Sequence, residues 1–153
     1  VPERHLYKTT PTSAHKHIVE GVTCCDPYSE EGTHCYRSHC FETTRLLAEK
    51  LGLEKGKYSQ AFQSRLGKDK WITPFTSDKI IELARNGVKK LAVIAPAFVA
   101  DCVETLEEIE IVGGKSFRKN GGENFKMIPC LNDSDLWVRA LSSWINEETR
   151  DER

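Results

Sequence analysis

The residues with the clearest capacity for chemistry lie on an acidic segment that follows an apolar run. Residues 91–100 are apolar, and Asp101, Glu104 and Glu108 come directly after them. On an α-helical projection these three carboxylates fall within about 60 degrees of one another. Clustered carboxylates repel, so we expect at least one raised pKa, and such a group can take up protons or pass on a divalent cation. A solvated acidic face at a helix N-terminus is the commoner reason for this spacing.

A second group of reactive side chains is a cysteine cluster near the start of the chain. Four of the six Cys have the spacing C-C-x9-C-x4-C: Cys24, Cys25, Cys35 and Cys40. Such a cluster beside core-forming sequence binds metal more often than it forms disulfides, which indicates a reducing compartment. Adjacent cysteines suit a two-iron cluster better than one zinc ion, although zinc stays an alternative, with His34 or His39 as an added ligand. Cys102 and Cys130 are predicted to be small core residues.

Helices and strands that would position these groups alternate along the chain. Apolar periodicity predicts helices over residues 41–51, 101–110 and 133–145, and strands over residues 58–63, 91–95 and 125–128. The first of these helices is predicted to stop at Gly52. Another helix is predicted between a cap at Thr76 or Ser77 and a stop at Gly87. Residues 1–40 lack this periodicity and are interpreted as an irregular segment before a core over 41–147. The pattern predicts an α/β fold with a parallel sheet.

Two of these elements carry an expectation about burial. Residues 91–95 are apolar without alternation, as in a central parallel strand that helices cover on both faces. In the last helix Trp137, Leu141 and Trp144 would form the buried stripe, with Asn132 or Asp133 as the cap. Both patterns indicate elements packed into the interior of the domain.

Composition narrows the classes of function. The chain has 153 residues, of which 39% are hydrophobic and 29% charged, the balance of one folded domain. The net charge of -1 supplies no overall field for nucleic acid, so we expect no nucleic-acid partner. The longest apolar run is about half of the roughly 20 residues that a membrane-spanning helix needs. We expect a cytoplasmic protein and leave peripheral membrane association open.

The acidic segment resembles the signature of the ferrochelatase family. Residues 98–109 read FVADCVETLEEI, and the family pattern is Phe-x-x-Asp-(His or Cys)-x-Glu-Thr-Leu-x-Glu. Five further matches follow in family order: 26–28 (DPY), 47–53 (LAEKLGL), 62–67 (FQSRLG), 71–76 (WITPFT) and 131–133 (LND). Together they make the resemblance specific over nearly the whole chain.

The resemblance implies the carboxy-terminal domain of a two-domain lyase with a three-layer, chelatase-like (Rossmann-like) fold. Such an enzyme inserts Fe2+ into protoporphyrin IX or coproporphyrin III in haem biosynthesis. Glu104 would be the carboxylate that works with a catalytic His, and Asp101 and Glu108 would extend an acidic path on a distorted helix. These groups would bring in the metal or take the two pyrrole protons.

The same resemblance assigns the porphyrin pocket and the cysteines. Trp71, with Gln63 and Ser64, would line the pocket, where a flat apolar macrocycle favours aromatic walls. The four cysteines would hold a [2Fe-2S] cluster, as in a bacterial subset of the family. The catalytic His belongs to a Ser-x-His-Gly-(Leu, Val or Met)-Pro motif whose last two residues match Val1 and Pro2. That His and the amino-terminal domain would precede this chain, and we expect the isolated chain to be inactive.

Two other functions stay open at this point. A cobalt chelatase of the same fold would act on a corrin precursor, but the matches at 63–65 (QSR) and 132–133 (ND) favour the haem enzyme. A non-enzymatic iron-sulfur sensing or interaction module would need the cysteines, but neither the row of carboxylates nor Trp71. Replacement of Glu104 therefore separates an enzyme from such a module.

Overall fold

The computed structural model describes residues 1–6, Lys8 and residues 33–150. It forms two compact units, Val1–Lys79 and Ile80–Arg153. The helices are α1 (Glu3–Leu6), α2 (Tyr36–Lys50), α3 (Thr76–Arg85), a π-helix (Glu104–Gly113), α4 (Gly114–Lys119) and α5 (Asp135–Glu148), and the strands are β1 (Lys90–Val93) and β2 (Asn124–Met127). Within these residues no helix is both long and apolar enough to cross a membrane. The predicted core over 41–147 stays a prediction.

The first unit has a small apolar core beside the start of α2. Its buried members are Leu6, Cys35, Phe62 and Ile72, with Val1, Cys40 and Phe41 packed against them. Helix α2 begins at Tyr36, earlier than predicted, and is followed by the predicted stop at Gly52, whose φ of +64° suits glycine. The predicted strand over 58–63 is reduced to one bridge, between Phe62 and Phe75. Only one residue of that segment therefore pairs with a neighbouring chain segment.

The first residues of the chain run beside the loop that carries Trp71. Pro2 pairs with Trp71 in an antiparallel bridge, and the Glu3 N–H donates to the Lys70 carbonyl at 2.8 Å. The Glu3 side chain also forms an ion pair with Lys70 Nζ at 3.0 Å, and Glu3 is 9% exposed. These bonds fix the position of Trp71 relative to residues 1–3.

The second unit contains a two-stranded parallel sheet. In β1 and β2, Leu91 lies opposite Phe125 and Val93 opposite Met127. The π-helix and α4 lie between the two strands in sequence, so the chain makes the helical crossover that parallel pairing requires. The core of this unit consists of Ile80, Ala84 and Phe117, with Val88, Leu91 and Phe125 packed against it. An α/β fold with a parallel sheet is confirmed.

Burial in β1 and α5 differs from the prediction. Strand β1 alternates between exposed and partly buried residues, because the core described above covers one of its faces. Helix α5 starts after Ser134, not after the predicted caps, and buries none of its residues. Leu141 is 38% exposed and Trp144 is 54% exposed. The Trp137 and Trp144 rings contact each other on this helix, with centroids 5.8 Å apart, instead of forming a buried stripe.

The helix predicted over 101–110 is a π-helix that starts later, at Glu104. Its buried residues, Thr105, Ile109 and Gly113, are spaced by four, which is wider than the α-helical period of about 3.6. Bonding from i to i+5 widens each turn, so residues three apart no longer share a face. An α-helical period would place Leu106 on the same side as the buried Ile109, but Leu106 is 48% exposed. The distorted helix implied by the family resemblance is confirmed.

Two glycines allow the end of the π-helix to lie against the sheet. A Cβ on Gly113 would lie 3.0 Å from Ile80 Cδ1, and a Cβ on Gly114 would lie 3.1 Å from the Phe125 ring. Contacts this short leave little room for a larger side chain at either position. The close approach of the helix to β2 therefore depends on residues without a side chain.

Phe117 is expected to be the main packing residue of the second unit, because it is 0% exposed. Replacing Phe117 by Ala should lower the free energy of unfolding by about 3–5 kcal/mol, since it leaves a cavity against Leu91 and Phe125. Chemical denaturation followed by circular dichroism measures this. The control Leu136→Ala, at a position 81% exposed on α5, should change it by less than about 0.5 kcal/mol. Equal losses in the two variants would contradict this assignment of the core.

Candidate active site

The Asp101 carboxylate lies in a hydrogen-bond network with Thr105, Cys130 and Asn132. Asn132 Nδ2 donates to Oδ2 at 2.7 Å. Thr105 Oγ1 and the Cys130 N–H donate to Oδ1 at 3.0 and 3.3 Å. In the opposite direction, the Asp101 N–H donates to Asn132 Oδ1 at 2.9 Å. These hydrogen bonds stabilise the ionised carboxylate and hold the pKa of Asp101 below its ordinary value, and the bond from Asn132 has the largest effect.

Glu104 is the first residue of the π-helix and is partly exposed. A hydrogen bond from the Cys102 thiol is the main reason that the pKa of Glu104 lies below its ordinary value. The backbone N–H of Glu104 adds to this effect, and desolvation opposes it. Glu104 therefore presents an ionised carboxylate at neutral pH.

The expectation of a raised pKa is wrong for Asp101 and Glu104, since the pKa of each is lowered. Hydrogen bonds from neutral donors, and not repulsion between carboxylates, determine both shifts. Asp101 precedes the π-helix, so it does not share the helical face on which it was projected. Glu108 lies on the helix and is exposed. The structure thus joins Asp101 with Asn132, and Glu104 with Cys102.

Sequence reasoning missed Cys102, Thr105 and Asn132 as site residues. Cys102 and Cys130 are not core residues, because both are partly exposed and both border the carboxylates. Burial, followed by the bond to Asp101, raises the pKa of Cys130 to about 11. Asn132 has a φ of +49°, a left-handed conformation that Asn adopts more readily than most residues. Cys102, Thr105 and Asn132 lie in the family matches at 98–109 and 131–133, which were the available signal.

Trp71, Gln63 and Ser64, the residues predicted to contact the porphyrin, lie in the loop between α2 and α3 of the first unit. The indole N–H of Trp71 donates to the Leu66 carbonyl at 3.0 Å, so the polar edge of the ring is satisfied. Ser64 has a φ of +69°, a strained conformation of the kind found at ligand sites. All three predicted residues are partly exposed. Their contact with a porphyrin stays a prediction.

Cys35 and Cys40 are the described half of the cysteine cluster, since Cys24 and Cys25 lie outside the described residues. Cys35 is 3% exposed, and Cys40 packs against the same apolar core. Burial raises the pKa of the Cys40 thiol, a bond from the Tyr36 hydroxyl partly offsets this, and the neighbouring Cys35 adds to it. Both are free thiols. Two sulfur donors are therefore held in one apolar core.

Ser38 tests whether an iron-sulfur cluster fits beside these cysteines. Its side chain is 1% exposed, and its Oγ has no hydrogen-bond partner within the part of the chain that is described. A buried hydroxyl without a partner is costly, and the sulfur atoms of a cluster on Cys35 and Cys40 would supply an acceptor. The described residues Cys35, Cys40 and Ser38 are chemically suited to such a cluster, which stays a prediction. Within residues 1–6, 8 and 33–150, no three His, Cys, Asp or Glu side chains are grouped so that they could hold a metal ion. The Nε2 atom of His39, the possible added zinc ligand, lies 2.7 Å from the Thr33 carbonyl oxygen.

Comparison with known proteins identifies the family. The ferrochelatase family model matches residues 10–149. A ferrochelatase of Pseudomonas fluorescens strain SBW25 is 51% identical over 144 residues, which cover 94% of this chain and 42% of that protein. Ferrochelatases of Pseudomonas putida and Pseudomonas aeruginosa are each 49% identical, over 93% of this chain and 42% and 41% of those proteins. The chain belongs to the ferrochelatase family, and it spans less than half the length of these relatives.

Replacing Cys102 by Ala is expected to raise the pKa of Glu104 toward its ordinary value of 4.5, because the thiol donor is lost. Titration of the Glu104 carboxyl carbon by NMR measures this shift. The pKa of Glu104 is lower in the folded state than in the unfolded state. The bond therefore stabilises the fold at pH values above the unfolded-state pKa, and this stabilisation is lost as the pH falls through the folded-state pKa. The variant should therefore lose stability at neutral pH more than at low pH.

The matched control for this titration is Cys130→Ala. The Cys130 thiol neighbours Asp101 and does not contribute to the lowered pKa of Glu104. The Glu104 titration should therefore stay in place in the control. A titration unchanged by Cys102→Ala would show that another group lowers the pKa.

Proposed function

We propose that this chain is the carboxy-terminal half of a ferrochelatase, a lyase that inserts Fe2+ into protoporphyrin IX or coproporphyrin III in haem biosynthesis. The observation that carries the proposal is Glu104, an ionised and partly exposed carboxylate at the start of a π-helix inside the family signature. Membership of the family and the named relatives support it. An amino-terminal domain would complete the enzyme, and the isolated chain is proposed to be inactive.

Metal insertion requires the removal of two pyrrole protons and the loss of water from Fe2+. An efficient general base has a pKa near the working pH, whereas a carboxylate with a lowered pKa keeps its charge and attracts a cation. We therefore propose that Glu104, whose carboxylate is partly exposed at the start of the π-helix and whose pKa lies below its ordinary value, handles the metal. Glu108, exposed further along the same helix, would extend the acidic path. The proton acceptor would then be the family's catalytic His.

Trp71 is proposed to form one wall of the porphyrin pocket. Its indole N–H is bonded to Leu66, so the ring offers apolar faces to a flat macrocycle without an unsatisfied polar edge. Pro2 pairs with Trp71, and the match of Val1-Pro2 to the end of the His motif would bring that His in beside Trp71. The strained Ser64, with Gln63, lies in the same loop.

We propose further that Cys24, Cys25, Cys35 and Cys40 hold a [2Fe-2S] cluster. The buried Cys35 and the unpartnered hydroxyl of Ser38 support this ligand set among the described residues. Such a cluster supplies one-electron redox chemistry and crosslinks the segments that bind it. A reducing, cytoplasmic location, in which thiolates are available as ligands, is part of this proposal.

In the full-length protein, Glu104→Gln is expected to slow Fe2+ insertion by about 100-fold to 1,000-fold, because the amide carries no charge for the metal. Anaerobic assays that follow haem formation from each porphyrin measure this. Glu110→Gln, which neutralises an exposed carboxylate of the same helix, is the matched control and should retain activity. Full activity of Glu104→Gln would refute the proposal. Loss of insertion with an intact cluster distinguishes the enzyme from a sensing module.

The cluster assignment predicts a red-brown protein whose visible absorption is lost in Cys35→Ala, because one of the four ligands is removed. Absorption spectroscopy with iron and sulfide analysis checks this in anaerobically purified protein. Cys130→Ala, which removes a thiol outside the cysteine cluster, should leave the absorption unchanged. A colourless protein with stoichiometric zinc would favour the zinc alternative.

A further inference from the structure

The oxygen atoms of Asp101 are already engaged by protein donors. Oδ1 accepts from Thr105 Oγ1 and the Cys130 N–H, and Oδ2 accepts from Asn132 Nδ2. A carboxylate offers about four lone-pair sites, so these three bonds use most of them. One lone-pair site stays open on Oδ2, so a metal ion could bind this carboxylate through both oxygens only by displacing a donor from Oδ1.

Asp101 and Asn132 form a reciprocal pair that involves both main chain and side chain. Residue 101 donates its N–H to Asn132 Oδ1 at 2.9 Å and accepts from Asn132 Nδ2 at 2.7 Å. Asn132 is held in turn, because its N–H donates to the Val99 carbonyl at 2.9 Å and its Nδ2 lies 3.2 Å from the Cys130 carbonyl. The pair therefore ties the loop after β1 to the loop after β2.

The hydrogen bonds of this pair continue to the start of the π-helix. Thr105 is 0% exposed, and its Oγ1 accepts from the Cys102 N–H at 3.0 Å while it donates to Asp101. Cys102 follows Asp101 directly, and Glu104 directly precedes Thr105. Cys102 and Glu104 therefore lie on a short segment whose two ends are anchored by hydrogen bonds.

We infer that Asp101 is a positioning residue, which acts with Asn132 to hold Cys102 and Glu104 in place and does not itself carry metal or accept pyrrole protons. The inference rests on the proposed function of Glu104. It replaces the acidic-path role that the family resemblance implies for Asp101. The role in the path remains with Glu104 and Glu108.

A reciprocal exchange of the two side chains in the full-length protein tests the inference. Asp101→Asn alone places two amide groups opposite each other, and Asn132→Asp alone places two carboxylates opposite each other. The double variant Asp101→Asn/Asn132→Asp restores a donor opposite an acceptor. We expect each single variant to lower kcat for Fe2+ insertion by about 10-fold to 100-fold through misplacement of Glu104. The double variant should recover most of that loss, with the porphyrin KM unchanged in all three.

A double variant no faster than Asp101→Asn would overturn the inference, because the carboxylate at position 101 would itself be required. Asn132→Gly decides the matter if the exchanged proteins fail to fold, since glycine tolerates the φ of +49°. It removes the pair but leaves the Asp101 charge in place. A kcat as low as that expected for Asp101→Asn supports the inference, and a wild-type kcat overturns it. Glu110→Gln, on the π-helix that carries Glu104, is the control and should retain activity.

Thermal denaturation separates failure of this inference from failure of the proposed function. The midpoints of the wild type, both single variants and the double variant form a cycle that reports the pair without any assay of activity. Recovery of the midpoint in the double variant supports the pair, and additive losses overturn it. A normal kcat in Glu104→Gln would instead refute the proposed function, whatever the cycle shows.

Discussion

The hydrogen bonds between Asp101 and Asn132 are the constraint on which the candidate site depends. Parallel strands bring their carboxyl ends to one edge of a sheet, so the loops after β1 and β2 meet there. A single bond would leave these loops free to shift, whereas an exchange of two bonds fixes their separation and orientation. Because the π-helix starts within this network, the position of Glu104 follows from it.

The π-helix shows how the period of a helix depends on its packing. Its buried positions are spaced by four residues and end at Gly113, which lies against Ile80 and Phe125. The wider turn moves other apolar residues to the outer side of the helix, where Leu106, Ile111 and Val112 are about half exposed. π-helices are rare, and those that occur are often found at functional sites. The position of this π-helix inside the family signature agrees with that tendency.

Local patterns in the sequence predicted a substantial part of the fold. The strand predicted over 125–128 is β2, shifted by one residue, and the stops at Gly52 and Gly87 both have positive φ. These features depend on neighbouring residues, because a glycine that ends a helix acts through its own backbone freedom. The signature at 98–109 placed the chain in its family for a similar reason, since its residues are contiguous.

The amino-acid sequence by itself determined the α/β class and the family, because both are expressed in short contiguous patterns. Only the tertiary structure revealed the hydrogen bonds that join Asp101, Thr105 and Asn132. The partner of Asp101 lies 31 positions away, and Asp101 precedes the π-helix that carries Glu104, so the two residues do not share a helical face. Hydrogen bonds between residues distant in sequence, and the fit of one element against another, arise only when the chain has folded.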